Sequence, residues 1–150
     1  MALDELYKEV ILDHYKNPRN KRDLTGAAVL SCSKNNPLCG DEITVHAEVD
    51  GDRVVEVTFE GSGCSISQAS ASMMTEAVAG KGVGQAEHLA TDFRGMMEGR
   101  TEPDEDEFGD LMALRGVVKY PVRIKCAVLA WDVLQDALAG AGSASDSRSH

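Results

Sequence analysis

The stretch Ile43-Thr44-Val45-His46-Ala47-Glu48-Val49-Asp50-Gly51-Asp52-Arg53-Val54-Val55-Glu56-Val57-Thr58-Phe59 decides the fold class. Ile43, Val45, Ala47 and Val49 alternate with polar residues, which is the period of a half-buried strand. Asp50-Gly51 is a hairpin-turn signal, and Val55, Val57 and Phe59 continue the alternation beyond it. Ala27 to Cys32 reads as a further strand upstream. The expectation is a small antiparallel three-stranded meander over roughly residues 27 to 60.

On either side the pattern turns helical. Leu3, Leu6, Tyr7, Val10, Ile11 and His14 fall at helical spacing, so residues 3 to 16 read as an amphipathic helix. Asn17-Pro18 ends it, and the basic stretch Lys16 to Arg22 forms a loop. After the meander, the Ala/Met-rich run Ser65 to Ala79 stops at Gly80-Lys81-Gly82, and a second helix fits Gln85 to Glu98. Gly99 to Gly109, with Pro103 and a run of acids, reads as a solvated loop, followed by a short helix near Asp110 to Arg115. Pro121 suits a first helical turn, and Ile124, Ala127, Val128, Trp131, Val133, Leu134 and Leu138 make a largely apolar closing helix. Residues 1–140 are expected to form a single domain, and the Gly/Ala/Ser-rich residues 141–150 a disordered C-terminal tail. Strands first and helices afterwards predict an α+β fold, with helices packed on one face of the sheet.

Composition narrows the class. A chain of 150 residues with 43% hydrophobic residues can bury one core, and 5% aromatics make that core mostly aliphatic. Met1-Ala2-Leu3-Asp4-Glu5-Leu6 is amphipathic and acidic, unlike a secretory signal, and no apolar run approaches bilayer length. The expected location is the cytoplasm. There, four cysteines argue for metal binding or thiol chemistry over a disulfide framework. A net charge of -10 disfavours nucleic acid and anionic membrane as partners, and suits a basic patch on another protein.

Three cysteines and one aspartate carry the candidate chemistry. Cys39 and Asp41 lie in Asn36-Pro37-Leu38-Cys39-Gly40-Asp41. In extended backbone, positions i and i+2 share a face, so thiol and carboxylate can reach one ion; an ordinary loop before a strand reads the triplet equally well. Cys64 follows Gly61-Ser62-Gly63 and opens a helix, where free amides and partial positive charge favour a thiolate. A buried structural cysteine is the plainer reading. Cys126 sits in the first turns of the closing helix, beside Lys125 and three residues after Arg123; packing alone also accounts for it. Taken together, three soft thiolates and one hard carboxylate suit zinc or iron–sulfur chemistry. Cys32, on a strand away from any glycine loop, reads as structural. His14, His46, His88 and His150 stand in no recognisable ligand spacing, and neither a zinc ribbon nor a glycine-rich phosphate loop is present.

Four segments carry a family resemblance. Asp13-His14-Tyr15-Lys16-Asn17-Pro18-Arg19-Asn20, Asn36-Pro37-Leu38-Cys39-Gly40-Asp41, Gly61-Ser62-Gly63-Cys64-Ser65-Ile66-Ser67 and Arg123-Ile124-Lys125-Cys126 resemble the U-type iron–sulfur assembly proteins, in the same order from about Leu3 to Leu138. The resemblance implies the SufE/NifU-like α+β fold and a metal site made by Cys39, Asp41, Cys64 and Cys126. The scaffold branch, IscU, carries a histidine before its last cysteine and a Leu-Pro-Pro-Val-Lys chaperone-binding segment. Here Lys125 stands at the histidine position, and Lys119-Tyr120-Pro121-Val122-Arg123 departs from the chaperone motif. The stretch between Cys64 and Cys126 is also longer than in that branch. All three departures resemble the zinc-containing SufU branch. That likeness implies a sulfurtransferase taking persulfide sulfur from a SufS-type cysteine desulfurase and passing it to downstream iron–sulfur scaffold proteins. In that branch Cys39 would be the sulfur acceptor, freed from zinc when a desulfurase histidine replaces it, with Arg123 steadying the persulfide. A scaffold that assembles an iron–sulfur cluster on the same residues is the alternative, and a structural zinc adaptor the third.

Overall fold

The computed structural model describes residues 2–36 and 40–146, so Cys39 and His150 lie outside the described residues. The alternating stretch forms β2 (Asp41–Asp50) and β3 (Arg53–Ser62), antiparallel, with Asp50 opposite Arg53. Gly51, at φ +63°, makes the tight turn between them. β1 (Val29–Asn36) pairs with the other side of β2, giving the order β1-β2-β3. The period of two sends Ile43, Val45, Ala47, Val57 and Phe59 to one face, where all are buried. Thr44, His46 and Glu48 take the other face.

The helices are α1 (Ala2–Lys16), α2 (Ser65–Val78), α3 (Val83–Met97), α4 (Glu105–Phe108) and α5 (Pro121–Asp146). As expected for α+β, the apolar face is covered by helices, chiefly α2 and α5, with α1 packed on α2 and α3 on α5. Phe93 of α3 stacks on Trp131 of α5 with ring centroids 4.8 Å apart. The Trp131 indole N–H donates to Ser70 Oγ (3.2 Å), and Ser70 donates to the Ala127 carbonyl (2.6 Å), so α2 and α5 share a buried polar clasp inside an aliphatic core. A second clasp holds α1. Its buried His14 meets Ser72 Oγ of α2 through Nδ1 (2.8 Å) and Asp110 Oδ2 through Nε2 (3.0 Å).

Three elements differ from the sequence reading. The acidic loop predicted over Gly99 to Gly109 contains α4, because Asp104 caps the amides of Asp106 and Glu107 and buried Phe108 anchors the turn. The short helix expected near Asp110 is a longer 3-10 segment, Gly109–Lys119, which buries Leu111, Met112, Ala113, Leu114 and Val117. The closing helix also runs to Asp146, into the segment read as tail. Alanine's high helix propensity carries it past Gly140, whose cost is only about 1 kcal/mol.

The chain between α1 and β1 closes the remaining edge and face. The Asn20 carbonyl accepts the Phe59 N–H (3.0 Å), and Lys21 bridges to Phe59 in parallel. The segment then crosses the polar face, bringing Asp23 to His46, before β1 begins.

Candidate metal centre

Three elements converge at one end of the sheet. Asp41 is the first residue of β2, Cys64 is the N-cap of α2, and Cys126 lies in the second turn of α5. Asp41 and Cys126 are buried and Cys64 half-buried; one ligand atom from each lies within 4.8 Å of the others. Residues separated by 85 positions (126 minus 41) therefore meet in one small volume.

The carboxylate is held by backbone. Asp41 Oδ1 accepts the Cys64 N–H at 2.9 Å, which satisfies a helix-terminal amide and fixes the carboxylate's orientation. Cys64 supplies no side-chain cap to its own helix; its carbonyl accepts from the Gln68 N–H (3.1 Å) and Ser67 Oγ (3.1 Å), so its thiol is left for other work. Two glycines make this approach possible. A Cβ on Gly61 would come within 1.9 Å of the Glu42 carbonyl oxygen, and one on Gly63 within 2.3 Å of Asp41 Oδ1. The Gly-Ser-Gly loop is thus shaped by the close passage of β3's end over the start of β2.

Asp41 Oδ2 tests whether the residues fit a metal. It is fully buried and has no hydrogen-bond partner among the described residues. A buried carboxylate oxygen with no donor is costly, by about 1–3 kcal/mol or more, unless a cation neutralises it. Beside two sulfur ligands, that oxygen suits a divalent ion of the zinc class. The donor set fits.

Arg123 stands beside the two thiols. Its guanidinium pKa is raised above the ordinary value, first by a hydrogen bond to Cys126 and then by the charges of Cys64 and Cys126. A fixed cation therefore stands exposed at the rim of the sulfur cluster. Lys125 is exposed too. Beside the site, a groove of about 340 Å³ is lined by Ile11, Ile66, Tyr120, Lys8, Lys119 and Arg123. Its apolar floor and three cations contrast with the acidic whole.

The remaining candidates fall elsewhere. Cys32 lies opposite Val45 in the β1–β2 register, four positions from the Asn36–Asp41 pair, or about 13 Å along the strand. Burial, and then the charge of Asp136, pushes its thiol pKa up. His14 belongs to the α1 clasp, and His88 is exposed beside Asp92 on α3. The sequence reading missed His46, which meets Glu60 and Asp23 across the polar face of the sheet. Residues 23, 46 and 60 share no local motif; only the β2–β3 register, which sets Glu60 opposite Thr44, could have paired two of them in advance.

Comparison with known proteins gives the chain's relatives. Residues 6–127 match the model of the NifU-like N-terminal domain. The zinc-dependent sulfurtransferase SufU of Bacillus subtilis (strain 168) is 50% identical over 137 residues, covering 91% of this chain and 92% of that protein. The iron–sulfur cluster assembly scaffold protein IscU of Streptococcus pyogenes serotype M1 is 43% identical, over 91% of this chain and 84% of that protein. Among solved structures, a candidate iron–sulfur cluster assembly scaffold protein for the SUF system from Fervidobacterium islandicum AW-1 superposes with a TM-score of 0.76 at 38% identity, covering 87% of this chain and 94% of that one.

Proposed function

The chain belongs to the NifU-like N-terminal domain family, and from that premise we propose that it is a zinc-dependent sulfurtransferase of iron–sulfur cluster biogenesis. The observation that carries the reading is the buried, unpartnered Asp41 Oδ2 beside the Cys64 and Cys126 thiols. Asp41, Cys64 and Cys126 would hold zinc, with Cys39 as the fourth ligand from the segment between β1 and β2. Bound zinc supplies a redox-inert divalent charge that keeps thiols deprotonated without oxidising them.

The chain's own residues then do the work. The Cys39 thiolate is the acceptor. It attacks the outer sulfur of a persulfide on the desulfurase cysteine; a new S–S bond forms at Cys39, and the old one breaks. The desulfurase cysteine leaves as thiolate, so no external oxidant or reductant is needed. Arg123, exposed beside the sulfur cluster, steadies the anionic persulfide as it arrives. The Cys64 N–H keeps Asp41 in place throughout. The adjoining groove, with Lys8, Lys119 and Arg123, offers a partner a landing surface opposite in charge to most of this protein. That partner is a SufS-type cysteine desulfurase, and the sulfur goes on to downstream iron–sulfur scaffold proteins. The reading places the protein in the cytoplasm, where such thiols stay reduced. No helix among the described residues is long and apolar enough to cross a membrane.

The 43% identity to an IscU scaffold favours one other reading, in which the same residues hold a growing iron–sulfur cluster. One paired measurement separates the two. Protein purified without added iron should contain one zinc per chain and should stimulate a SufS-type desulfurase. Cys39→Ala should abolish that stimulation and persulfide uptake, while Cys32→Ala should leave both nearly unchanged. Iron with acid-labile sulfide in place of zinc would favour the scaffold, and transferred sulfur mapped to Cys32, Cys64 or Cys126 would remove Cys39 from its role.

A further inference from the structure

The polar face of the sheet carries a second group of ligand atoms, unrelated to the thiols. His46 is five residues along β2 from Asp41, and an odd number of steps puts it on the opposite face, about 16 Å away along the strand. Its ring is nearly buried, while the two carboxylates that meet it are open to solvent. His46 Nε2 lies 2.7 Å from Glu60 Oε2 on β3 and 3.5 Å from Asp23 Oδ1 on the crossing segment. The three ligand atoms lie within 4.8 Å of one another.

The other ring nitrogen is fixed. His46 Nδ1 lies 2.6 Å from Ser31 Oγ, on the neighbouring strand directly opposite in register. When Nδ1–H donates to Ser31, the Nε2 lone pair points at two carboxylates, an arrangement that a cation resolves. Holding one ring nitrogen by hydrogen bond so that the other can ligate is how proteins orient metal-binding histidines. A further observation lies beside it. Thr58, opposite His46 in the β2–β3 register, is fully buried, and its Oγ1 has no hydrogen-bond partner among the described residues. A buried hydroxyl in need of a partner thus belongs to the residue paired with His46 on the same face.

The geometry points to a second divalent-metal site, formed by His46 Nε2, Glu60 and Asp23, that takes a first-row transition ion of the zinc class. One imidazole and two carboxylates are borderline-to-hard ligands suited to Zn²⁺, Co²⁺ or Mn²⁺, and three protein ligands leave a position for water. Tetrahedral ligation at about 2.1 Å puts ligand atoms about 3.4 Å apart. The His46–Asp23 pair already has that spacing, and the half-exposed Glu60 has only to withdraw by roughly 0.7 Å. Because Asp23 belongs to the segment that crosses the sheet, the ion fastens that segment to β2 and β3. The site does not depend on the sulfurtransferase reading.

The test is a Zn²⁺ titration of the full chain as isolated, followed by calorimetry and by ¹⁵N-imidazole NMR. Wild type should bind one zinc that Asp23→Asn binds at least tenfold more weakly, and His46 Nε2 should shift on metal addition. Asp23 is exposed, so this substitution leaves the fold intact; His46→Gln should abolish the same binding event. Co²⁺ in this site should give only weak visible bands, without the strong sulfur charge transfer of a thiolate site. Equal zinc binding by wild type and Asp23→Asn, or a shift at His88 with none at His46, overturns the proposal. Metal content at the thiol site unchanged by Cys64→Ser, with the His46-dependent event intact, would refute the sulfurtransferase reading alone.

Discussion

Gly63→Ala is the sharpest test of how the thiol-rich site is built. The new Cβ would sit 2.3 Å from Asp41 Oδ1 and 2.7 Å from Ser67 Oγ, so it is trapped between two polar groups. Restoring an ordinary contact of about 3.4 Å moves the carboxylate by roughly 1.1 Å. Added to the present 2.9 Å, that displacement breaks the hydrogen bond from the Cys64 N–H. A hydrogen bond to a charged acceptor contributes about 1.5–3 kcal/mol, and each 1.4 kcal/mol is tenfold in affinity. Zinc affinity, read by chelator competition, should therefore fall about ten- to hundredfold. Gly51→Ala is the control. It also strains a positive φ, but in open space far from the ligands, so it should lower stability and leave zinc affinity alone. Both measurements belong at a temperature where circular dichroism shows each variant folded. Zinc affinity of Gly63→Ala within twofold of wild type would show that the Asp41–Cys64 contact does not organise the site.

Two further substitutions test separate parts of the structure. Arg123→Ala removes the exposed cation beside the sulfurs, so sulfur acceptance should slow several-fold while zinc content and melting temperature stay unchanged; Arg123→Lys should recover part of the rate, and an unaltered rate would make Arg123 a bystander. Ser70→Ala strips the buried Trp131 indole N–H of its acceptor and should cost about 1–3 kcal/mol in urea unfolding, whereas a loss below about 0.5 kcal/mol would mean that the α2–α5 clasp contributes little.

Local patterns carried most of the fold. The two strands around Asp50-Gly51 were readable because a sheet with one wet face writes its period directly into the chain. α4 escaped because its acids looked like solvent-facing loop, when three of them occupy a first helical turn under the Asp104 cap. The end of α5 escaped because alanine and glycine together suit both a helix and a tail. Asp41, Cys64 and Cys126 were each conspicuous in a tight local context, but their spacing did not join them; the chemistry of the donor set suggested one site, and the family resemblance implied it. His46, Glu60 and Asp23 had neither aid, since their meeting depends on strand register and on where a loop crosses.

The way the α1–β1 segment closes the sheet has a consequence for self-association. β3 is engaged at two points, by Lys21 at Phe59 and by Gly82 at Arg53, so its outer rim offers an incoming strand little purchase. β1 has no strand on its far side among the described residues. Among the described residues, β1 is then the rim at which a further strand could pair. Edge-to-edge pairing of two copies through β1 would close as a pair, whereas growth of a filament would need a second complementary rim on every copy.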